Sequence, residues 1–150
     1  MTKSYSFPFV AALCLGGCKS VSKAYNQGDY ADAIELGIKK LQKDPSDADT
    51  RDLVKCAYSF AVAQHESRIR SLSSSASENR FEAILREYNQ LQDIYETIQQ
   101  SPSAATTIRP VNYSDYVETY RNKAAEVHLA NANRYMDEGT KRAYREAYNA

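Results

Sequence analysis

The residue whose type and position most clearly suggest a chemical modification is Cys18, which directly follows Gly16 and Gly17. Small residues beside a peptide bond let an extended backbone enter a narrow protease cleft, and a thiol just after that bond can be acylated. The preceding apolar stretch, Tyr5 to Leu15, spans 11 residues. A helix that crosses a bilayer needs about 20 apolar residues, so this stretch is too short to cross one. It has the length of a signal-peptide core.

The sequence Leu15-Gly16-Gly17-Cys18 resembles the lipobox of bacterial lipoproteins. The resemblance implies diacylglyceryl transfer to Cys18, cleavage between Gly17 and Cys18, and acylation of the new amino terminus. It therefore predicts a signal peptide over 1–17, a mature chain over 18–150, and attachment to the membrane through lipid on Cys18. Lys19 favours the outer membrane by the sorting rule known for enteric bacteria. The alternative is a buried N-terminal helix with a chance cysteine.

The other two cysteines offer little chemistry. Cys14 would be removed with the signal peptide, which leaves Cys56 without an intramolecular disulfide partner. Cys56 stands among apolar residues of a predicted helix, and nothing nearby in sequence would lower the pKa of its thiol. We expect a buried, inert thiol.

The chain lacks the usual motifs of catalysis and cofactor binding. Its glycines are scattered rather than gathered in a phosphate loop, and neither His65 nor His128 has a second histidine four residues on. His65 with Glu66 is typical of a surface pair, and Glu87 is typical of a solvated helix face. The 19 basic and 19 acidic residues balance, which gives no support for nucleic-acid binding. We expect no catalytic residue, no metal site, no cofactor and no enzymatic activity.

The elements that position the residues discussed above are predicted to be helices. The chain has few Gly and Pro residues and many strong helix formers, which predicts an all-α fold. Gly28 suits a tight turn between helices, Asp29 can cap the next helix, and Pro45 cannot continue it. Between them Ala33, Ile34, Ile38 and Leu41 recur at helical spacing. The sequence thus predicts a short helix over about 20–26, a turn, and a second helix that ends before Pro45.

The same stretch resembles the second half of a tetratricopeptide repeat. Gly28, Tyr30, Ala33 and Pro45 match the residues that start the second helix, let the paired helices approach, and end the repeat. The resemblance implies antiparallel helical hairpins stacked as a fragment of an α-solenoid. Gly37 departs from the pattern, since a large aromatic residue usually stands there, and a shallow gap is expected.

Further helices follow along the chain. Ser46 or Asp47 can cap a helix to about Ser71, with an apolar stripe that includes Phe60. The next helix carries apolar residues at steps of three and four between Phe81 and Ile98. The stretch 101–112 reads as an irregular connector. Ser114 is expected to cap a long helix to about Glu138, and a last helix follows the break at Gly139. The expected capping helix of a repeat array is missing, which suggests a truncated array, a fragment, or a last helix completed by another chain.

The resemblance implies a binding role. We expect a membrane-anchored scaffold of the bacterial cell envelope that binds other envelope proteins. The alternative is a non-catalytic subunit or fragment of an envelope enzyme complex that acts on cell wall or polysaccharide. A third possibility is a structural tether between membrane and cell wall.

Overall fold

A computed structural model describes residues 20–137, 139 and 141–149. The regular secondary structure of this part of the chain is all helix, which confirms the predicted all-α class. Its seven helices are α1 (Val21–Asn26), α2 (Tyr30–Lys43), α3 (Ala48–Ser73), α4 (Arg80–Gln99), α5 (Pro102–Ile108), α6 (Ser114–Asp137) and α7 (Lys141–Asn149). The predicted lipobox, with Gly17 and Cys18, lies outside the described residues.

The turn between α1 and α2 is closed by its own backbone. The amide of Asp29 donates to the carbonyl of Ala24 at 3.0 Å, and the amide of Gly28 donates to the carbonyl of Tyr25 at 3.0 Å. These two bonds form a Schellman motif, which requires a left-handed residue after the helix. Gly28 fills that position with a φ of 81°. The predicted turn at Gly28 is therefore confirmed.

Helices α2 and α3 pack closely against each other. The buried face of α2 consists of Ala33, Ile34, Gly37, Ile38 and Leu41. A Cβ placed on Gly37 would lie 2.2 Å from Cγ2 of Val54 on α3. The expected gap at Gly37 is thus wrong, because the valine occupies the space that a side chain would need.

The buried face of α3 differs in part from the predicted stripe. Ala57, Ala61 and Ile69 are buried as expected, whereas Phe60 is 49% exposed. Asp47 is the N-cap, and its side chain accepts from the amide of Thr50 at 2.9 Å. Cys56 lies on the exposed side of α3. The expectation of a buried thiol was wrong, because α2 and α4 pack on the faces that carry Ala57 and Ala61 instead.

The stretch predicted as an irregular connector contains α5. Pro102 stands at its first turn, where a missing amide costs nothing, and Ala104 is fully buried. Arg109 ends the helix in the left-handed conformation, with a φ of 52°. The amide of Val111 then donates to the hydroxyl of Tyr58 at 2.9 Å. The connector is therefore an ordered element anchored to α3.

Tyr113, rather than the predicted Ser114, precedes the first turn of α6. The carbonyl of Tyr113 accepts from the amide of Val117 at 3.0 Å, and its side chain is buried. The amide of Tyr113 donates to Oε1 of Gln92 at 2.8 Å, which ties this end of α6 to α4.

The helices form two apolar clusters. The first joins α1, α2, α5, the first half of α3 and the second half of α4. The second joins the end of α3, the part of α4 from Ile84 to Leu91, and Tyr113. Among the described helices, consecutive ones contact each other except α5 and α6, α4 contacts α6, and α7 contacts α6 alone.

Candidate functional site

A groove of about 500 Å³ lies where α2, α3 and α4 meet the turn before α2. Its apolar floor consists of Ile34, Ala61 and Ile94, which are buried. Its walls are mainly polar and come from all three helices. The polar and charged lining residues are Asp29, Asp32, Glu35, Gln64, His65, Arg68, Gln90, Asp93 and Thr97. Such a mixed surface can hold a polypeptide segment through both apolar contact and hydrogen bonds.

His65 reaches the groove from α3 and is tied to α4. Its Nδ1 lies 2.7 Å from Oε2 of Glu87, and the His65 side chain is buried. Nη1 of Arg68 lies 3.6 Å from the same carboxylate oxygen. An ionised carboxylate only accepts hydrogen bonds, so Nδ1 is the donor to it. The carboxylate thereby fixes the orientation of the imidazole beside the groove.

This pair corrects two predictions. His65 does not form a surface pair with Glu66, and the Glu87 side chain is only 16% exposed rather than solvated. Ala61 belongs to the first apolar cluster and Ile69 to the second. His65 stands between them along α3, where a polar residue is buried only with a partner. Sequence reasoning missed the pair because its members are 22 positions apart.

An aromatic platform lies beside the groove. Tyr30 lines the groove and stacks on Phe60, with ring centroids 5.3 Å apart. Tyr25 meets Tyr30 edge-to-face at 5.7 Å. Since Phe60 is half exposed, the platform can still stack with an aromatic or guanidinium group of a partner.

The residues of the predicted repeat signature have different places. Gly28 and Tyr30 line the groove. Ala33 is fully buried among the packed helices. Pro45 lies in the exposed turn after α2, beside Gln100 and Ser101. The structure therefore brings two of the four to the groove, places one in the core, and leaves one in a distant turn.

A second aromatic group joins α4 to α6. The Tyr88 ring stacks on Tyr116 at 5.0 Å and on Tyr120 at 5.2 Å, and it lies 6.1 Å from Tyr113. Burial is the main cause that raises the pKa of Tyr113 to about 12, and burial also raises the pKa of Tyr88. These tyrosines serve packing between helices, as a half-buried phenol does.

The start of α3 carries a charged cluster. Nζ of Lys40 lies 2.7 Å from Oδ2 of Asp47 and 2.9 Å from Oγ1 of Thr50. The hydrogen bond from Lys40, followed by the bonds from the Thr50 amide and hydroxyl, lowers the pKa of Asp47 to about 2. The cluster holds Asp47 as the N-cap of α3 and lies away from the residues that line the groove.

The described residues contain neither a cluster of metal-ligating side chains nor a helix that could cross a bilayer. Within them, no group of three or more His, Cys, Asp or Glu side chains is arranged to hold a metal ion. No helix in residues 20–137 or 141–149 is both long and apolar enough to cross a bilayer.

Comparison with known proteins adds no relative: no protein family model, curated protein or solved structure matches this chain.

Proposed function

We propose that this protein is a lipid-anchored scaffold of the bacterial cell envelope that binds a segment of another envelope protein in the groove between α2, α3 and α4. The groove carries the proposal. It combines an apolar floor at Ile34 and Ile94 with polar walls from three helices. A polypeptide offers both kinds of group along one segment, and a site of this type recognises it through main-chain and side-chain contacts.

Two features of the sequence support the envelope and the solenoid parts of the proposal. The lipobox-like residues that end in Cys18 support attachment to a membrane, with Lys19 in favour of the outer one. The tetratricopeptide-like residues Gly28, Tyr30 and Ala33 support stacked helical hairpins. Contact between consecutive helices, with the exception of α5 and α6, is compatible with such a stack.

The test compares a blocked groove with an unchanged one. Ala31 lines the groove and is exposed, so Ala31→Trp fills the groove without disturbing the core. Ala125→Trp, at an exposed position of α6 outside the groove, is the matched control. Full-length tagged variants are cross-linked in intact cells of the source organism and recovered from solubilised membranes.

We expect wild type and Ala125→Trp to recover the same envelope proteins, and Ala31→Trp to lose them. Recovery of a cell-wall or polysaccharide enzyme would favour the subunit alternative. Identical partners for all three proteins would show that the groove is not the binding site.

A further inference from the structure

The exposed face of α7 has an unusual combination of side chains. Lys141, Tyr144, Arg145 and Tyr148 are spaced at i, i+3, i+4 and i+7, so they share one side of the helix. Tyr144 is 55% exposed and Tyr148 is 91% exposed. Ala147, at the edge of this side, is half-buried. α7 thus presents a stripe of two cations and two aromatic rings that the described residues leave uncovered.

The groove offers the complementary chemistry. Four carboxylates line it, of Asp29, Asp32, Glu35 and Asp93, against the one guanidinium of Arg68, and Glu35 also pairs with Lys39 on α2. The exposed platform of Tyr30 and Phe60 lies beside it. Carboxylates attract ammonium and guanidinium groups, and aromatic rings stack with guanidinium or phenol groups.

We propose that α7 of one copy docks in the groove of a second copy. This proposal rests on the proposed function of the groove. It specifies that the segment bound in the groove comes from a second copy of this protein. Lys141 and Arg145 then meet the carboxylates of Glu35 and Asp93, while Tyr144 and Tyr148 cover the apolar floor and the platform. The stripe and the groove belong to different helices, and α7 contacts only α6 among the described helices. Both surfaces are therefore available at once on one copy.

Such an interface is heterologous, because two different surfaces meet. A heterologous contact repeats from copy to copy and produces an open chain, or a ring if the rotation closes. A single protein would thereby line up its own copies along the membrane to which it is attached.

A lipid surface is the weaker occupant for the stripe. Membrane-bound amphipathic helices insert broad apolar faces. The stripe on α7 offers only two tyrosines, each with a polar hydroxyl, on a helix of 9 residues.

The test uses two complementary variants of the full chain in a mild detergent. The stripe variant carries Lys141→Glu with Arg145→Glu, and the groove variant carries Glu35→Lys with Asp93→Lys. All four positions are exposed, and circular dichroism checks the fold of each variant. Arg142→Glu is the control, since it changes charge on the same helix outside the stripe. Light scattering with the detergent mass subtracted gives the number of copies.

We expect wild type and Arg142→Glu to grow beyond dimers with concentration, and each double variant to associate at least tenfold more weakly. Mixing the two double variants should restore association, because the unchanged stripe of one meets the unchanged groove of the other, and the reversed stripe and the reversed groove are again opposite in charge. High salt, near 1 M, should weaken wild-type association, since it shortens the screening length to about 3 Å.

Three outcomes would overturn the proposal. They are a wild type that stays monomeric, association that both double variants retain, and a stripe that instead binds vesicles of anionic phospholipid without self-association. A failure here, with envelope proteins still lost in Ala31→Trp, leaves the groove as a site for other proteins. If Ala31→Trp loses no partner, the proposed function fails on its own.

Discussion

At the scale of single residues, Asp47 connects helix capping to a charged contact between helices. Its Oδ1 accepts from the Thr50 amide at 2.9 Å, and its Oδ2 accepts from the Thr50 hydroxyl at 2.8 Å and lies 2.7 Å from Nζ of Lys40. All of these contacts favour the ionised carboxylate, which is why the pKa of Asp47 falls to about 2 and that of Lys40 rises.

This cluster predicts a dependence of stability on acid. The pKa of Asp47 is lower in the folded chain than in the unfolded one, so the ionised cap stabilises the fold above about pH 4. That contribution is lost as the pH falls through about 2. We expect Asp47→Asn to be less stable than wild type at pH 6, with the difference shrinking between about pH 4 and about 2. Denaturant unfolding across this pH range measures the difference in the free energy of unfolding between the two proteins.

Asp49→Asn is the matched control, because Asp49 stands in the same first turn of α3. It removes only a favourable charge near a helix N-terminus, so its effect should be smaller. A difference between wild type and Asp47→Asn that stays constant down to pH 2 would contradict this account of the cap.

At the scale of elements, the contact between α2 and α3 depends on a missing side chain. Gly37 is buried in α2, and the position of its absent Cβ lies 2.2 Å from Cγ2 of Val54. Valine is stiff about χ1, so the methyl group cannot move aside cheaply. The two helices therefore approach to a distance that only glycine permits.

Gly37→Ala should lower the free energy of unfolding by about 1–2 kcal/mol, because overpacking outweighs the gain in helix propensity. Thermal or denaturant unfolding measures the change. In a Val54→Ala background the obstructing methyl groups are absent, so the same substitution should be neutral or stabilise by about 0.5–1 kcal/mol. A stabilising effect in the wild-type background would show that the space between α2 and α3 can hold a Cβ at position 37.

At the scale of the whole molecule, the two apolar clusters share α3 and α4, and the groove lies on these same helices with α2. The His65–Glu87 pair connects α3 to α4 beside the groove. The lipid-anchored scaffold that we propose would hold this body at the membrane through Cys18, with α1 beginning three residues later.

The proposed attachment through Cys18 predicts the outcome of metabolic labelling. Cells fed a fatty-acid analogue should label wild type, and Cys18→Ser should lose the label, because no thiol remains to be acylated at the predicted site. Cys56→Ser is the matched control and should keep the label, since it changes an exposed thiol elsewhere. Mass spectrometry of the mature chain locates the modification. Equal labelling of wild type and Cys18→Ser would contradict the lipobox interpretation.

Much of the fold was predictable from local patterns. The turn at Gly28, the cap at Asp47 and the end of α2 before Pro45 follow from backbone preferences within a few residues. The all-helical class follows from composition. The platform of Tyr30 and Phe60 was not predictable. By its spacing in the sequence Phe60 belongs to the apolar stripe of α3, but in the fold it is half exposed.

By itself, the sequence determined the helical class, the turn at Gly28, a cap at Ser46 or Asp47, and the lipobox-like pattern at Cys18, because each depends on neighbours in the chain. Only the tertiary structure decided that α5 is a helix packed on α2, α3 and α4, that Gly37 meets Val54, and that His65 pairs with Glu87 beside a groove. Those contacts join residues on different helices, and their distances depend on how side chains fill the space between helices. That packing is a property of the assembled fold and of no single segment.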